Sequence, residues 1–426
     1  MKKTFQSFVF GCRVNEAERI KLDKELFEAG FSVDLASPAY LIINTCAITG
    51  KAEREARQLI YSLRKKYFKA KIVLTGCSAT LWNKYKTGDS TLADIIVPND
   101  KKSSLVSMLC TTYPPLGLTN TAEEPTIDKF RHSNRLLVKI QDGCHRFCSY
   151  CIVPYLRGTP QSERIESIIS YINSFSPTPS EVIFSAINTE AFGKDTGETI
   201  SNLICRALEE TAVTRVAFGS IHPWSLTDEF MDYYHKTLSQ EQRFVHFFHV
   251  PIQSGSQEVL GYMKREYRID DVIQRLIQIK TVHPHALIAT DVIVGFLGET
   301  DEMFEKTYSF LESGPVSRLH VFRFSSRPHT AAHYLKKQLT EPSSKTKRER
   351  SNRLLELSKK KYQTFIESLI GVSFNALVIA KHIVGFKVLL NNHVEGVLNS
   401  KHCLPGQMVH VTIIAAKDGY VVCKES

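Results

Sequence analysis

The chain has 426 residues, 43% of them hydrophobic and 23% charged, and carries a formal net charge of +10. Length and composition fit a soluble globular protein of two to four domains. No apolar run of about 18 residues marks a membrane span, and the basic start Met1-Lys2-Lys3 lacks a signal peptide's apolar stretch and cleavage site, so a cytoplasmic protein with an anionic partner, nucleic acid before membrane, is expected.

In chain order, residues 4–10 read as a strand and 16–29 as an amphipathic helix stopped by Gly30. Residues 40–45 are a short apolar strand, 51–69 a charged helix and 71–76 a strand again. This βαβαβ order predicts a parallel sheet with flanking helices. Cys12, Cys46 and Cys77 each fall just past the end of one of these strands. The C-terminal ends of parallel strands line one edge, where open α/β sheets bind ligands. Three thiols there can form a cluster site; three independently buried cysteines are the plainer reading.

The pattern breaks after Thr111, and residues 113–133, with Pro114-Pro115 inside, read as a linker. Further strands are expected at 136–141, 181–187, 215–220, 244–250, 287–294 and 318–324, with helices between, such as 201–211 and 270–281. Six βα units predict a complete or partial barrel spanning 134–342. Directly after the first of these strands comes Cys144-His145-Arg146-Phe147-Cys148-Ser149-Tyr150-Cys151. Iron–sulfur cubes usually take four thiolates. Three on one loop leave one iron open, as a catalytic metal requires. A zinc site would need a fourth, closing ligand, and His145 is badly placed to supply it. Phe147 and Tyr150 can shield such a cluster or simply pack.

Active sites of such barrels lie at the strand C-termini. Asn188, Ser220 and Gln253 stand there, and Val294 precedes Gly295, where backbone can line an adenine pocket. Glu299 can cap the following helix or touch a cofactor. Cys110, Cys205, Cys403 and Cys423 stand singly and read as small buried hydrophobes. Ten cysteines in a reducing compartment are not expected to form disulfides. Residues 343–370 read as a basic connecting helix, either solvated or tracking phosphates. From 371 to 426 the period falls to about two, predicting a small all-β barrel that can bind nucleic acid. There Lys381, His382, Lys387 and Lys401, with Phe386, are candidates for RNA backbone contact and base stacking.

At these residues the sequence resembles the radical S-adenosylmethionine (SAM) methylthiotransferase family. Gly11-Cys12-Arg13-Val14-Asn15, Asn44-Thr45-Cys46 and Gly76-Cys77 match its N-terminal pieces, and residues 140–158 match its radical SAM loop. His249-Val250-Pro251-Ile252-Gln253-Ser254-Gly255-Ser256, residues 290–300 and residues 321–328 match further motifs. The resemblance implies an α/β multidomain protein: an N-terminal methylthiotransferase domain over 1–112, a partial (β/α)6 radical SAM barrel and a C-terminal TRAM barrel. It implies that Cys12, Cys46 and Cys77 bind an auxiliary 4Fe–4S cluster. It implies that Cys144, Cys148 and Cys151 bind the cluster that cleaves SAM to a 5′-deoxyadenosyl radical. A reducing electron donor, a sulfur source and the tRNA anticodon arm are the implied partners.

The family divides by substrate, and Arg13-Val14 with Ile140-Gln141-Asp142-Gly143 resembles the branch acting on N6-threonylcarbamoyladenosine at tRNA position 37. Action on N6-isopentenyladenosine or on a ribosomal-protein aspartate are the alternatives, and a non-catalytic iron–sulfur RNA-binding protein is a third. The chain departs from the family pattern at Gln161-Ser162-Glu163, at Ser185-Ala186 and at Phe324, which bears on substrate and SAM contacts more than on the basic chemistry.

Overall fold

In the computed structural model, residues 3–87, 92–112, 134–400 and 402–426 are described. The linker expected at 113–133 and Lys401 lie outside them. The N-terminal part runs β1 (Thr4–Val9), α1 (Arg13–Glu28), β2 (Ser32–Val33), β3 (Tyr40–Thr45), α2 (Gly50–Lys66), β4 (Lys71–Thr75), α3 (Gly76–Tyr85), β5 (Ile95–Val97) and α4 (Leu105–Thr112). The five strands form one parallel sheet in the order β2-β1-β3-β4-β5. Every residue of the central β3 is buried, as expected where helices cover both faces of a parallel sheet. The edge strands β2 and β5 are too short to show alternation, so the sequence pattern misses them.

The middle part runs β6 (Arg135–Asp142), α5 (Val153–Arg157), β7 (Gln161–Ser162), α6 (Ile165–Asn173), β8 (Glu181–Ala186), α7 (Ile200–Glu210), β9 (Arg215–Phe218), α8 (Asp228–Lys236), β10 (Phe247–His249), α9 (Gln257–Tyr262), α10 (Ile269–Val282), β11 (Leu287–Val294), α11 (Asp301–Ser313), β12 (Arg318–Arg323) and α12 (Ala331–Leu335). The strands form two sheets, β7-β6-β8-β9 and β10-β11-β12. Among the described residues one parallel bridge, Val216 to Phe244, ties them together. The six expected strands are therefore present as a partial barrel; β7 is an added antiparallel edge beside β6. The largest apolar cluster fills the space between these strands and their helices.

The basic helix α13 (Ser344–Glu367) is less solvated than its composition suggests. Lys347 and Arg350 point inward, and Arg350 bonds Glu299 at 2.5 Å and Asp301 at 2.7 Å. Lys361 donates to the carbonyls of Glu312 and Gly314. These cations clamp the helix to the barrel and are not available to phosphates.

The C-terminal strands β13 (Ser373–His382), β14 (Gly385–Leu390), β15 (Glu395–Leu398), β16 (Met408–Lys417) and β17 (Tyr420–Glu425) close into a barrel. Phe386 belongs to its core and is 5% exposed, so the expectation that it stacks on a base is corrected: alternation turns it inward. Cys403 and Cys423 are buried as expected, whereas Cys110 and Cys205 are only partly so. The small barrel also plugs the base of the larger one. Buried Arg215 donates to the Leu389 and Leu390 carbonyls at 2.6 and 3.0 Å, and Glu181 pairs with Arg215 at 2.9 Å and His393 at 3.0 Å. Burial alone would raise the Glu181 carboxyl; Arg215, His393 and Arg135 outweigh it and hold it well below the usual carboxylate range. No described helix is long and apolar enough to cross a membrane.

Candidate active site

Three consecutive strand ends bring Cys12, Cys46 and Cys77 to one edge of the N-terminal sheet. Cys12 stands at the N-cap of α1, Cys46 follows β3, and Cys77 lies in the first turn of α3. The loops are tied to each other by short polar contacts. Asn15 Nδ2 donates to the Phe10 and Thr45 carbonyls at 2.8 and 3.1 Å, Thr45 Oγ1 to the Thr75 carbonyl at 2.6 Å, and Ser78 Oγ to the Cys46 carbonyl at 2.5 Å. Gly11 and Gly76 have φ of +94° and +91°. A Cβ on Gly11 would meet Cys46 Sγ at 2.4 Å, and one on Gly76 would meet the Asn44 side chain at the same distance. Glycine is needed at both for the thiols to converge.

The second trio occupies the loop after β6. Arg146 N–H points at Cys144 Sγ at 3.5 Å, and Arg265 Nη1 lies 3.9 Å from Cys148 Sγ. Ser149 pins the loop to α9, its N–H to the Met263 carbonyl at 2.9 Å and its Oγ to the Tyr262 carbonyl at 2.7 Å. Tyr150 packs edge-on to Phe296, its hydroxyl 3.4 Å from Arg265. Phe147, by contrast, is 49% exposed.

All six thiols are free. Burial raises Cys12 and Cys144 above the ordinary thiol value and pushes Cys46 and Cys151 up to about 12, with neighbouring thiols adding to the effect. Such thiols ionise only for a strongly bound cation. Among the described residues neither trio gathers its three sulfurs within 4.8 Å of one another. A single zinc ion, with Zn–S near 2.3 Å, would draw them to about 3.8 Å; a four-iron cube holds its thiolates farther apart. Sets of three free thiols are the donor chemistry that iron–sulfur clusters take.

Between the trios lies a buried ion network that sequence reading missed. Arg157, its side chain 1% exposed, donates to Glu18 Oε1 at 2.9 Å, Asp142 Oδ1 at 2.8 Å and Asn15 Oδ1 at 2.7 Å. Glu18 also takes Lys102 at 2.5 Å and Lys139 at 3.1 Å. Burial would raise the Glu18 carboxyl, but Arg157, Lys102 and Lys139 outweigh it and hold it well below its usual range. Asn15 follows Cys12 by one helical turn; Asp142 precedes Cys144, and Arg157 ends the helix after Cys151. The network thus joins the two cysteine-bearing units. Arg13 adds a link, Nη1 donating to the Gly219 carbonyl at the end of β9 at 3.0 Å.

The other candidates line the barrel's upper rim. Buried Asn188 accepts from Glu190 N–H at 3.2 Å, and Ser220 Oγ donates to the His249 carbonyl at 3.2 Å. Gln253, with φ +68°, bridges to Val292. The Val294 side chain is in the core, which leaves only backbone for any ligand. Glu299 is occupied: it accepts from Gly295 N–H at 2.6 Å and binds Arg350, while Thr300 caps α11. Of the departures from the family pattern, Gln161-Ser162 pairs with the end of β6, Glu163 faces Lys21 of α1 at 3.7 Å, and Phe324 packs on Phe296.

Residues 138–311 match the radical SAM superfamily and residues 4–97 the uncharacterized protein family UPF0004. The threonylcarbamoyladenosine tRNA methylthiotransferase MtaB of Aquifex aeolicus is 30% identical over 93% of this chain and 96% of its own length. The enzyme of that name from Thermotoga maritima is 31% identical over 87% of this chain and 85% of its own. A tRNA-2-methylthio-N6-dimethylallyladenosine synthase of Thermus thermophilus is 30% identical over 82% of this chain and 76% of its own. Among solved structures, the radical SAM methyltransferase TsrM of Kitasatospora setae, with cobalamin and a 4Fe-4S cluster bound, superposes with a TM-score of 0.54. It is 12% identical, over 78% of this chain and 77% of that one, and so shares the fold alone.

Proposed function

Because this chain belongs to the radical SAM tRNA methylthiotransferases, we propose that it places a methylthio group on C2 of N6-threonylcarbamoyladenosine at tRNA position 37. The observation that carries this is the pairing of the two thiol trios across one buried network, with Arg13 reaching from the first trio to the barrel rim. Relatives named for this substrate, similar over nearly the whole chain, support it.

When bound, SAM and its 4Fe–4S cluster supply a carbon radical able to open an aromatic C–H bond. Cys144, Cys148 and Cys151 are assigned to hold that cluster, and Cys12, Cys46 and Cys77 an auxiliary one at which sulfur is delivered. Arg265 sets a fixed positive charge beside Cys148, and Tyr150 with Phe296 keeps water from the loop. Arg157 and Glu18 hold the two trios at a constant separation, so that one base can meet both. Asn188, Ser220, Gln253 and the backbone at Val294 are assigned to SAM, and the C-terminal barrel to the anticodon arm. An electron donor and a sulfur source complete the cycle in the cytoplasm. A base already unpaired in a loop needs little extrusion energy, which suits position 37.

Mass spectrometry of tRNA nucleosides from a strain lacking the gene tests this. The methylthio-threonylcarbamoyl nucleoside should vanish and return with the restored gene. Its persistence, with loss of the methylthio-isopentenyl form instead, would overturn the substrate and leave the family intact.

A further inference from the structure

The inner wall of the barrel carries a polar group with no role so far. His249 Nε2 and His320 Nδ1 both bond Asp291 Oδ1, at 2.8 and 3.2 Å. They sit on the adjacent parallel strands β10, β11 and β12, with Asp291 in register with His320. The carboxyl of Asp291 is therefore held ionised, and both imidazoles use the same oxygen, so that among the described residues Oδ2 takes no hydrogen bond from either. Accessibility rises across the wall: the side chains of His249, Asp291 and His320 are 15%, 23% and 42% exposed.

Strand alternation puts the next residues of the same face directly above. Ile293 stands over Asp291 and packs into the cluster containing Tyr150 and Phe296. Phe322 stands over His320 and is 47% exposed, an uncovered aromatic ring on a barrel wall. On the other side, Ser220 Oγ holds the His249 carbonyl, and its neighbour Gly219 receives Arg13. The wall thus runs from the residue after Cys12 to the residues beneath the Cys144–Cys151 loop.

We propose that this wall is the binding site of the target base, an N6-substituted adenine: Phe322 stacks on its ring, and Asp291 Oδ2 accepts the N–H of the exocyclic N6 substituent. The imidazoles of His249 and His320 are positioning residues that fix the carboxylate. An exposed aromatic face beside one fixed acceptor is the combination that reads an unstacked base. A carboxylate also rejects a base edge that offers only acceptors, because its lone pair would stay unpaired. This rests on the proposed activity and adds to it the residues that recognise the base.

The test uses the reconstituted holoenzyme and two anticodon stem-loops, one with threonylcarbamoyladenosine and one with plain adenosine at position 37. Asp291→Asn and Phe322→Ala should each lower kcat/KM for the modified stem-loop on the order of 10- to 100-fold, mostly through KM, and lower it for the plain one alongside, since plain adenosine offers the same ring and an N6 N–H. His320→Asn, which keeps a donor where Nδ1 stood, should stay close to the parent KM; His320→Ala should not. Iron content and the cluster absorption spectrum of each variant show that it has folded and loaded. Parent-like KM in Asp291→Asn and Phe322→Ala would overturn the proposal. So would a stoichiometric divalent metal other than iron in the parent that Asp291→Asn loses, since the three side chains would then be a metal centre. If the parent acts only on an isopentenyladenosine stem-loop, the substrate reading fails by itself, and the same variants are scored on that RNA.

Discussion

The two cysteine trios present the same set of three thiols by different routes. Cys144, Cys148 and Cys151 share one loop, and the chain between them fixes their spacing. Cys12, Cys46 and Cys77 come from three strand ends, and only a correctly registered parallel sheet brings them together. The loop trio is a local property that needs one strand and one pinned turn. The strand-end trio depends on register, on the absence of a Cβ at Gly11 and Gly76, and on the ion network behind it. Damage to the fold should therefore reach the strand-end trio first, whereas damage to SAM cleavage should require a change at the loop.

The sharpest break of this contrast is chemical. Cys144→Ala should abolish formation of 5′-deoxyadenosine, because two thiolates cannot hold a cube with one open iron. Cys46→Ala should stop methylthiolation while 5′-deoxyadenosine still forms. Product analysis of both variants decides it, and parent-rate SAM cleavage by Cys144→Ala would refute the assignment of the loop.

How legible each trio was in the sequence follows from the same contrast. The loop trio showed in its own spacing, and strands such as 40–45 and 287–294 showed in their apolar runs and fell where expected. The strand-end trio became readable only after a parallel sheet was inferred, since nothing local links residue 12 to residue 77. Glu18 looks like an ordinary polar position on an amphipathic helix, yet it is the centre of a buried network. Its partners lie far away in sequence, and charge patterning does not reveal such pairs. Phe386 and the inward cations of α13 were misjudged for a related reason: composition indicates what a segment carries, but not which face it turns inward.

Next in size is the network joining the units. Arg157→Ala removes the more buried of the two cations that bridge Glu18 and Asp142 and leaves Lys139 between them, so it should cost less than the roughly 3–5 kcal/mol of leaving a buried charge unpaired. A lower denaturation midpoint should record it; an unchanged midpoint would mean the network is not under load. Glu18 adds a pH signature. Its folded-state value lies well below the ordinary 4.5, so its stabilisation is present above pH 4.5 and lost as pH falls below it. The parent should lose stability on acidification more steeply than Glu18→Gln, as equilibrium unfolding at stepped pH would show.

A smaller, more selective effect is expected at Gly11. Gly11→Ala must hold a left-handed backbone, at about 1–2 kcal/mol, and drives a methyl into Cys46 Sγ. It should weaken the strand-end trio's hold on iron while the loop trio's spectrum persists. Equal loss from both would contradict the local account.

The smallest effect concerns RNA. Removing everything after residue 370 is not a clean test, because the C-terminal barrel supplies hydrogen-bond partners to buried groups at the base of the larger one, the Leu389 and Leu390 carbonyls to Arg215 and His393 to Glu181. Lys381→Ala with Lys387→Ala leaves those contacts intact. It should reduce the salt dependence of tRNA binding by at most about two phosphate contacts, measured as the slope of log affinity against log salt. An unchanged slope would move the RNA contact off this face.

The most direct test of the central claim, that the two trios hold two separate clusters, is iron per chain after anaerobic reconstitution. The parent should bind about eight irons, as two cubes require. The Cys12→Ala/Cys46→Ala/Cys77→Ala variant and the Cys144→Ala/Cys148→Ala/Cys151→Ala variant should each bind about four. Parent-level iron in the first variant would contradict the claim and leave the strand-end cysteines as buried residues of the sheet edge.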